Sequence, residues 1–392
     1  MSRLSLVTAG ESHGPKLSGI LCGLPAGLRI DMGAVNADLA RRQHGYGRGG
    51  RMKIERDAAL FTGGLRGGET LGSPVAFEIA NLDFPVWEKV MGPLELDVEA
   101  AAKRRLSSPR PGHADLAGGL KYGRRDLRDV LERASARESA ARVAGGALCR
   151  QLLLAFGIRV RSGVLSVGEV RCREPEGGFS FSDLDQVEEG SPLRAVDRKA
   201  EGAMTAAVDA AAKAGDTLGG TVLVGARGVP PGLGSHVSWE GKLDGRIARA
   251  LMSIPSAKAV SIGEGVANAG RPGSRAHDPI TWDEARGFSR TSNRAGGLEA
   301  GITNGEEVLV TLYLKPISTL RDGLPSVDID TKAPRRAQFE RSDVTAVPAA
   351  GVSAEAMLAF VLADALLEKT GGDSMDEVKR NFDAFVKAQK EF

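Results

Sequence analysis

Two histidines stand in short glycine-flanked segments, Gly10-Glu11-Ser12-His13-Gly14 and Arg110-Pro111-Gly112-His113-Ala114-Asp115. Imidazole changes charge near neutral pH, so a His on a glycine turn beside positive charge can hand a proton to a leaving group such as phosphate. Either segment alone reads more readily as a structural turn. The pair gains meaning from the arginines around it. No acid occurs from Leu39 to Ile54, where Arg41, Arg42, Arg48, Arg51 and Lys53 stand, and none from Ala100 to Ala114, which carries Lys103, Arg104, Arg105 and Arg110. Local excess of this kind marks an anion site rather than a generally basic surface, since the net charge is only +2.

The run Gly45-Tyr46-Gly47-Arg48-Gly49-Gly50-Arg51 matches GxGxxG literally. A dinucleotide fingerprint needs a strand before it and a helix after it; here the preceding residues read as helical and 51–55 as extended. What remains is a loop presenting guanidiniums for bidentate capture of carboxylate or phosphate. In Arg133-Ala134-Ser135-Ala136-Arg137-Glu138, a spacing of four puts Arg133 and Arg137 on one face of an expected helix. Arg341-Ser342-Asp343 sets an arginine and a carboxylate on one side of an extended segment.

The elements that must position these groups read as mixed. Leu131 to Phe156 is an Ala-rich helix with Ala140, Ala144, Leu148 and Leu152 on its apolar face, ending at Gly157. Residues 354–370 form another. A last helix, about 374–389, opens on the capping box Ser374-x-x-Glu377. Met204, Val208 and Ala212 mark a further helix, and Leu243, Ile247 and Leu251 one more. Alternation predicts strands at 75–79 and 307–314. The phrase GxTxGxxV occurs at Gly68, Gly215 and Gly301, and the first and third follow a Gly-Gly-Leu, which predicts an internal repeat of turn plus strand. Without a linker or low-complexity stretch, 1–392 reads as a single domain with the last helix appended.

Glycine is abundant, 51 of 392 residues, but interspersed with apolar runs, so it signals structured turns rather than disorder. Cys22, Cys149 and Cys172 have neither metal-ligand spacing nor a disulfide framework, and no metal is expected. With no leader-like N-terminus and no run of about 18 apolar residues, the chain reads as cytoplasmic, without a membrane.

Together these four motifs, with the Gly45–Arg51 loop, resemble the chorismate synthase family from about residue 4 to about 372, in the family's order and spacing. The resemblance implies an α+β fold, a β-α-β sandwich with a helical layer between two largely antiparallel sheets, assembled as a homotetramer. It implies loss of phosphate and a ring hydrogen from 5-enolpyruvylshikimate 3-phosphate to give chorismate, using reduced FMN without net redox change. By that resemblance His13 protonates the departing phosphate, His113 serves the flavin, and Asp343 lies by flavin N5 and helps accept the substrate proton. Arg42, Arg48, Arg51, Arg137 and Arg341 would hold the substrate. Arg42 and Arg48 also match positions associated with NADPH, the reductant in members that need no separate flavin reductase. Flavin contacts map onto Arg133, Ala134, Ser135, Pro255, Ser256, Ala300, Lys315, Pro316, Ile317, Ser318, Thr319 and Arg341. Ala300 and Ser256 depart from the family's usual Gly and Ala, which puts the close approach of flavin at 300 in question. His44, His236 and His277 are assigned to structure.

A polyanion-binding protein using the RGG-like loop accounts only for the arginines. Aromatic content is 5% and Tyr46 stands alone in that loop, so base stacking lacks its platform, and no nucleic-acid partner is expected.

Overall fold

The computed structural model describes residues 3–284, 287–340 and 343–392, with Met52 and Lys53 described by their backbone alone. Arg341 and Ser342 therefore lie outside the described residues. One sheet comprises β1 (Ser5–Ala9), β2 (Lys16–Cys22), β3 (Ala59–Gly63) and β4 (Val75–Ala80) in the order β1-β2-β4-β3. The other comprises β5 (Arg159–Val167), β6 (Val170–Arg171), β7 (Gly220–Arg227), β8 (Ala257–Ile262) and β9 (Val308–Leu314) in the order β8-β9-β7-β5-β6. Every pairing in both is antiparallel. The helices used below are α1 (Met32–Gln43), α2 (Phe84–Met91), α3 (Arg128–Ala134), α4 (Ser139–Leu154), α5 (Arg198–Ala214), α6 (Leu243–Met252), α7 (Val347–Thr370) and α8 (Met375–Lys390).

Helix α4 packs on β1 and β2, α7 packs on β5 and β7, and the two helices pack on each other. Their crossing is close because Gly146 has no side chain; a Cβ there would stand 2.6 Å from the Ala356 backbone. One buried cluster consequently runs from Leu17 and Phe77 through Leu148 and Leu358 to Val222 and Val310. Helix α7 is long and apolar enough to cross a membrane, yet it is buried within this fold. It begins seven residues before the predicted start because Pro348 fits a first helical turn, where its missing N–H is not needed.

The two sheets share more than strand order. Leu65–Arg66 pairs with Glu69–Thr70, and Leu298–Glu299 with Ile302–Thr303, each hairpin leading into β4 or β9. Thr70 Oγ1 donates to Pro25 O and accepts from Leu28 N; Thr303 Oγ1 donates to Pro230 O and accepts from Leu233 N. The occurrence at Gly215 is different: Gly215 is the left-handed cap of α5, and no hairpin follows. There the shared letters serve a helix end.

The predicted 131–156 helix is broken. Helix α3 ends at Ala134, Ser135 turns extended and accepts from Arg137 N, and a 3-10 turn, Ala136–Glu138, precedes α4. Arg133 and Arg137 thus do not share a helix face. Arg133 reaches Thr8 and the Gly10 carbonyl, whereas Arg137 reaches Asn81 and Asp57. Likewise 51–55 is not extended, since Gly50–Lys53 is a 3-10 turn that brings Arg51 back toward His13.

Candidate active site

A cleft of about 830 Å³ gathers residues from most of the motifs. His13, Arg42, Arg48, Arg51, His113, Ala134, Ser135, Arg137, Pro255, Ser256, Lys315, Ile317, Ser318, Thr319 and Asp343 line it. Arg133 and Pro316 do not, and Arg341 lies outside the described residues. Ala300 also stands apart, at the exposed tip of the 298–303 hairpin with φ +51°.

Each imidazole is anchored by a buried carboxylate on Nδ1. The His13 Nδ1 lies 2.9 Å from Glu132 Oε1, and the His13 backbone N–H donates to Oε2 at 2.8 Å. Burial alone pushes the Glu132 carboxyl up, but the bonds from His13 and the charge of Arg128 outweigh it, leaving Glu132 below the usual range. The His113 Nδ1 lies 2.6 Å from Asp115 Oδ1. Burial raises Asp115 as well, and hydrogen bonds from His113 and Arg110 reverse that shift. An ionised carboxylate only accepts, so Nδ1 carries the hydrogen in both rings. That leaves Nε2 of each ring to take or give a proton.

The His13 ring stacks on Trp87 of α2 at 4.1 Å between centroids, and the guanidiniums of Arg104 and Arg128 lie over the same indole. Arg51 Nη1 donates to Ser12 Oγ and stands 3.3 Å from His13 Nε2. Deeper, Arg42 and Arg137 share Asp57, with Arg42 Nη2 2.6 Å from Oδ2. Burial raises Asp57 and lowers Arg42, while the pairing with both arginines holds Asp57 ionised. Asp343 accepts from Gly49 N at 2.6 Å and pairs with Arg48 at 2.7 Å.

The opposite side is built from the 315–319 run. Lys315 Nζ donates to Ser318 Oγ at 2.8 Å, Ser318 Oγ donates to Gly112 O, and Arg110 donates to Thr319 Oγ1. Burial and nearby Lys258 hold Lys315 below the usual lysine range. Leu131, Ile254, Ile317, Phe339, Ala349 and Ala350 add apolar wall. A flat ring bearing a phosphate fits this lining: Arg42 Nε is buried without a hydrogen-bond partner, and Gly112, with φ +78°, keeps a Cβ out of space beside Ser318. The volume sits toward the upper end of the roughly 300–1,000 Å³ of small-molecule sites.

Sequence reasoning did not single out Glu132, Asp115, Asp57, Trp87 or Arg128. Asp115 sits two residues after His113 and Glu132 immediately before Arg133, so those two carried a local signal. Asp57, Trp87 and Arg128 reach the site only through tertiary packing. Among the described residues no group of His, Cys, Asp and Glu could hold a metal ion.

A family model described as chorismate synthase matches residues 4–367. A chorismate synthase from Symbiobacterium thermophilum is 53% identical over 386 residues, covering 97% of this chain and 98% of that protein. One from Geobacter sulfurreducens is 50% identical over 396 residues, covering 99% and 100%. A crystal structure of chorismate synthase, 41% identical, aligns over the whole of both chains with a TM-score of 0.79.

Proposed function

Because the chain belongs to the chorismate synthase family, we propose that the arginine-lined cleft is where phosphate leaves 5-enolpyruvylshikimate 3-phosphate. The reaction is a lyase step of the shikimate pathway, a 1,4-anti elimination giving chorismate. The observation that carries the site assignment is the pair of imidazoles, each fixed through Nδ1 by a buried carboxylate and both lining one cationic cleft.

The family uses reduced FMN, which when bound supplies electron density that loosens the carbon–oxygen bond to phosphate. Ala134, Ser135, Pro255, Ser256, Lys315, Ile317, Ser318 and Thr319 would hold it, together with Arg341; the hydroxyls and Lys315 suit its phosphate and the apolar wall suits its ring. Ala300 stands outside this set. His13 delivers a proton from Nε2 to the departing phosphate oxygen. His113 holds a proton toward the flavin's pyrimidine edge, and Asp343 helps take up the ring proton of the substrate. Arg42, Arg48, Arg51, Arg137 and Arg341 bind the carboxylates and the phosphate, orienting the scissile bond and steadying the charge that develops on it.

The matched strand orders and hairpin bonds support reading the two halves as an internal repeat in one domain, with helices layered between two sheets. We assign the protein to the cytoplasm and to a homotetramer. FMN is reduced either by NADPH, at Arg42 and Arg48, or by a separate reductase, and NADPH oxidation by the purified protein with FMN distinguishes the two. The decisive assay is anaerobic phosphate release with reduced FMN. His13→Ala keeps flavin binding and loses most turnover; wild-type turnover in that variant would show that His13 is not the acid.

A further inference from the structure

We propose that Glu132 is a positioning residue for the elimination, holding the proton-donating imidazole of His13 in one tautomer and one orientation inside a cleft lined by arginines. The proposal rests on reading His13 as the acid. Two contacts define the orientation, the Nδ1 bond at 2.9 Å and the backbone N–H bond at 2.8 Å to the other oxygen of the same carboxylate. Because the peptide N–H and the ring grip one fixed anion, the ring cannot flip without losing a charge-assisted bond. Trp87 closes one face of the ring. Nε2 is then the atom turned to the reaction.

The electrostatic part follows from the charges facing that ring. The 3-10 turn presents Arg51, itself paired with Glu55; Arg104 and Arg128 approach through Trp87. All three are cations crowded around the ring and its stacking partner. Glu132, with a side chain fully shielded from solvent, is the anion in direct contact with the ring and opposes them, although Arg128 shares it at 3.2 Å. Removing its charge weakens the paired bonds to the His13 ring and peptide N–H, so the ring loses the contact that fixes its orientation.

The test measures kcat and KM for phosphate release from the FMN-loaded protein for wild type, Glu132→Gln and His13→Gln. Glu132→Gln is expected to lower kcat by about tenfold or more with KM changed less than threefold. A loss carried by KM, or none, overturns the proposal. Because a Gln at a buried anion site can impair folding, ¹⁵N-histidine spectra of the flavin-free wild type give a second reading, with the His13 signal assigned by its absence from His13→Gln. The Nδ1–H tautomer supports the proposal and the Nε2–H tautomer overturns it. Full turnover by His13→Gln would instead remove the reading of His13 as the acid.

Discussion

At the scale of single residues, the cleft uses buried carboxylates to aim its cations and imidazoles. Asp57 shows the logic most simply. Its two oxygens take Arg42 and Arg137, and Asn81 takes the Nε of Arg137, so two guanidiniums that line the site have no freedom to collapse onto each other. Asp57→Asn leaves two buried cations sharing a neutral amide. Loss of one partner from such a pair costs about 3–5 kcal/mol, and urea unfolding of the variant should show a deficit of that size. Substrate orientation should suffer too, with KM for the phosphorylated substrate rising about tenfold, a change of about 1.4 kcal/mol, in anaerobic steady-state assays. An unchanged KM would separate Asp57 from substrate binding.

At the scale of elements, the 298–303 hairpin explains a departure that the family resemblance tied to flavin. Ala300 and Gly301 form its two-residue loop with φ +51° and +87°, and Gly67 and Gly68 form the matching loop with φ +59° and +84°. A turn with both residues at positive φ favours glycine for backbone reasons alone. Ala300→Gly should therefore raise stability by about 0.5–1 kcal/mol, left-handed strain being partly offset by the extra freedom of glycine in the unfolded chain. Gly67→Ala should lower it by about 1 kcal/mol. A Cβ at 67 meets nothing within 4 Å, so that loss isolates the backbone contribution. Thermal unfolding of both variants checks the pair, and equal shifts of one sign would contradict it.

Much of this level was legible in the residues. The strands at 75–79 and 307–314, the apolar face of α4 and the capping box of α8 appear where periodicity and caps put them. The interruption at Ser135 was not, because an Ala-rich stretch carries helix propensity through a serine unless something outside the stretch stabilises the turn. Here Asp57 and Asn81 draw Arg137 one way, and Thr8 and Gly10 draw Arg133 another. The same limit hid Asp57, which lies outside every motif and meets Arg42 and Arg137 only in the folded chain.

For the molecule as a whole, the question is what joins the two sheets firmly enough that residues from both ends of the chain share one cleft. Apolar packing of α4 on α7 supplies most of the contact, and within it lies a buried ionic knot. Glu355 of α7 takes both Nη atoms of Arg41 at the end of α1, accepts from Ser162 of β5 and from Arg194, and lies near Arg150 of α4. Burial pushes the Glu355 carboxyl up, but the three arginines and the Arg41 hydrogen bond bring it down to about 2. A folded-state value below the unfolded one, near 4.5, means stability that is present in full above pH 4.5 and lost as pH falls toward 2. The difference of about 2.5 units corresponds to roughly 3 kcal/mol. Glu355→Gln should accordingly unfold in urea with a deficit of about 3 kcal/mol at pH 7, and the gap to wild type should narrow by about 1 kcal/mol on going to pH 4. A gap constant from pH 7 to pH 4 would mean that shape, not charge, makes Glu355 necessary. Since the knot joins α1 and α4 to β5 and α7, its loosening should also let the cleft walls drift apart, so reduced-FMN affinity should fall with the same pH trend.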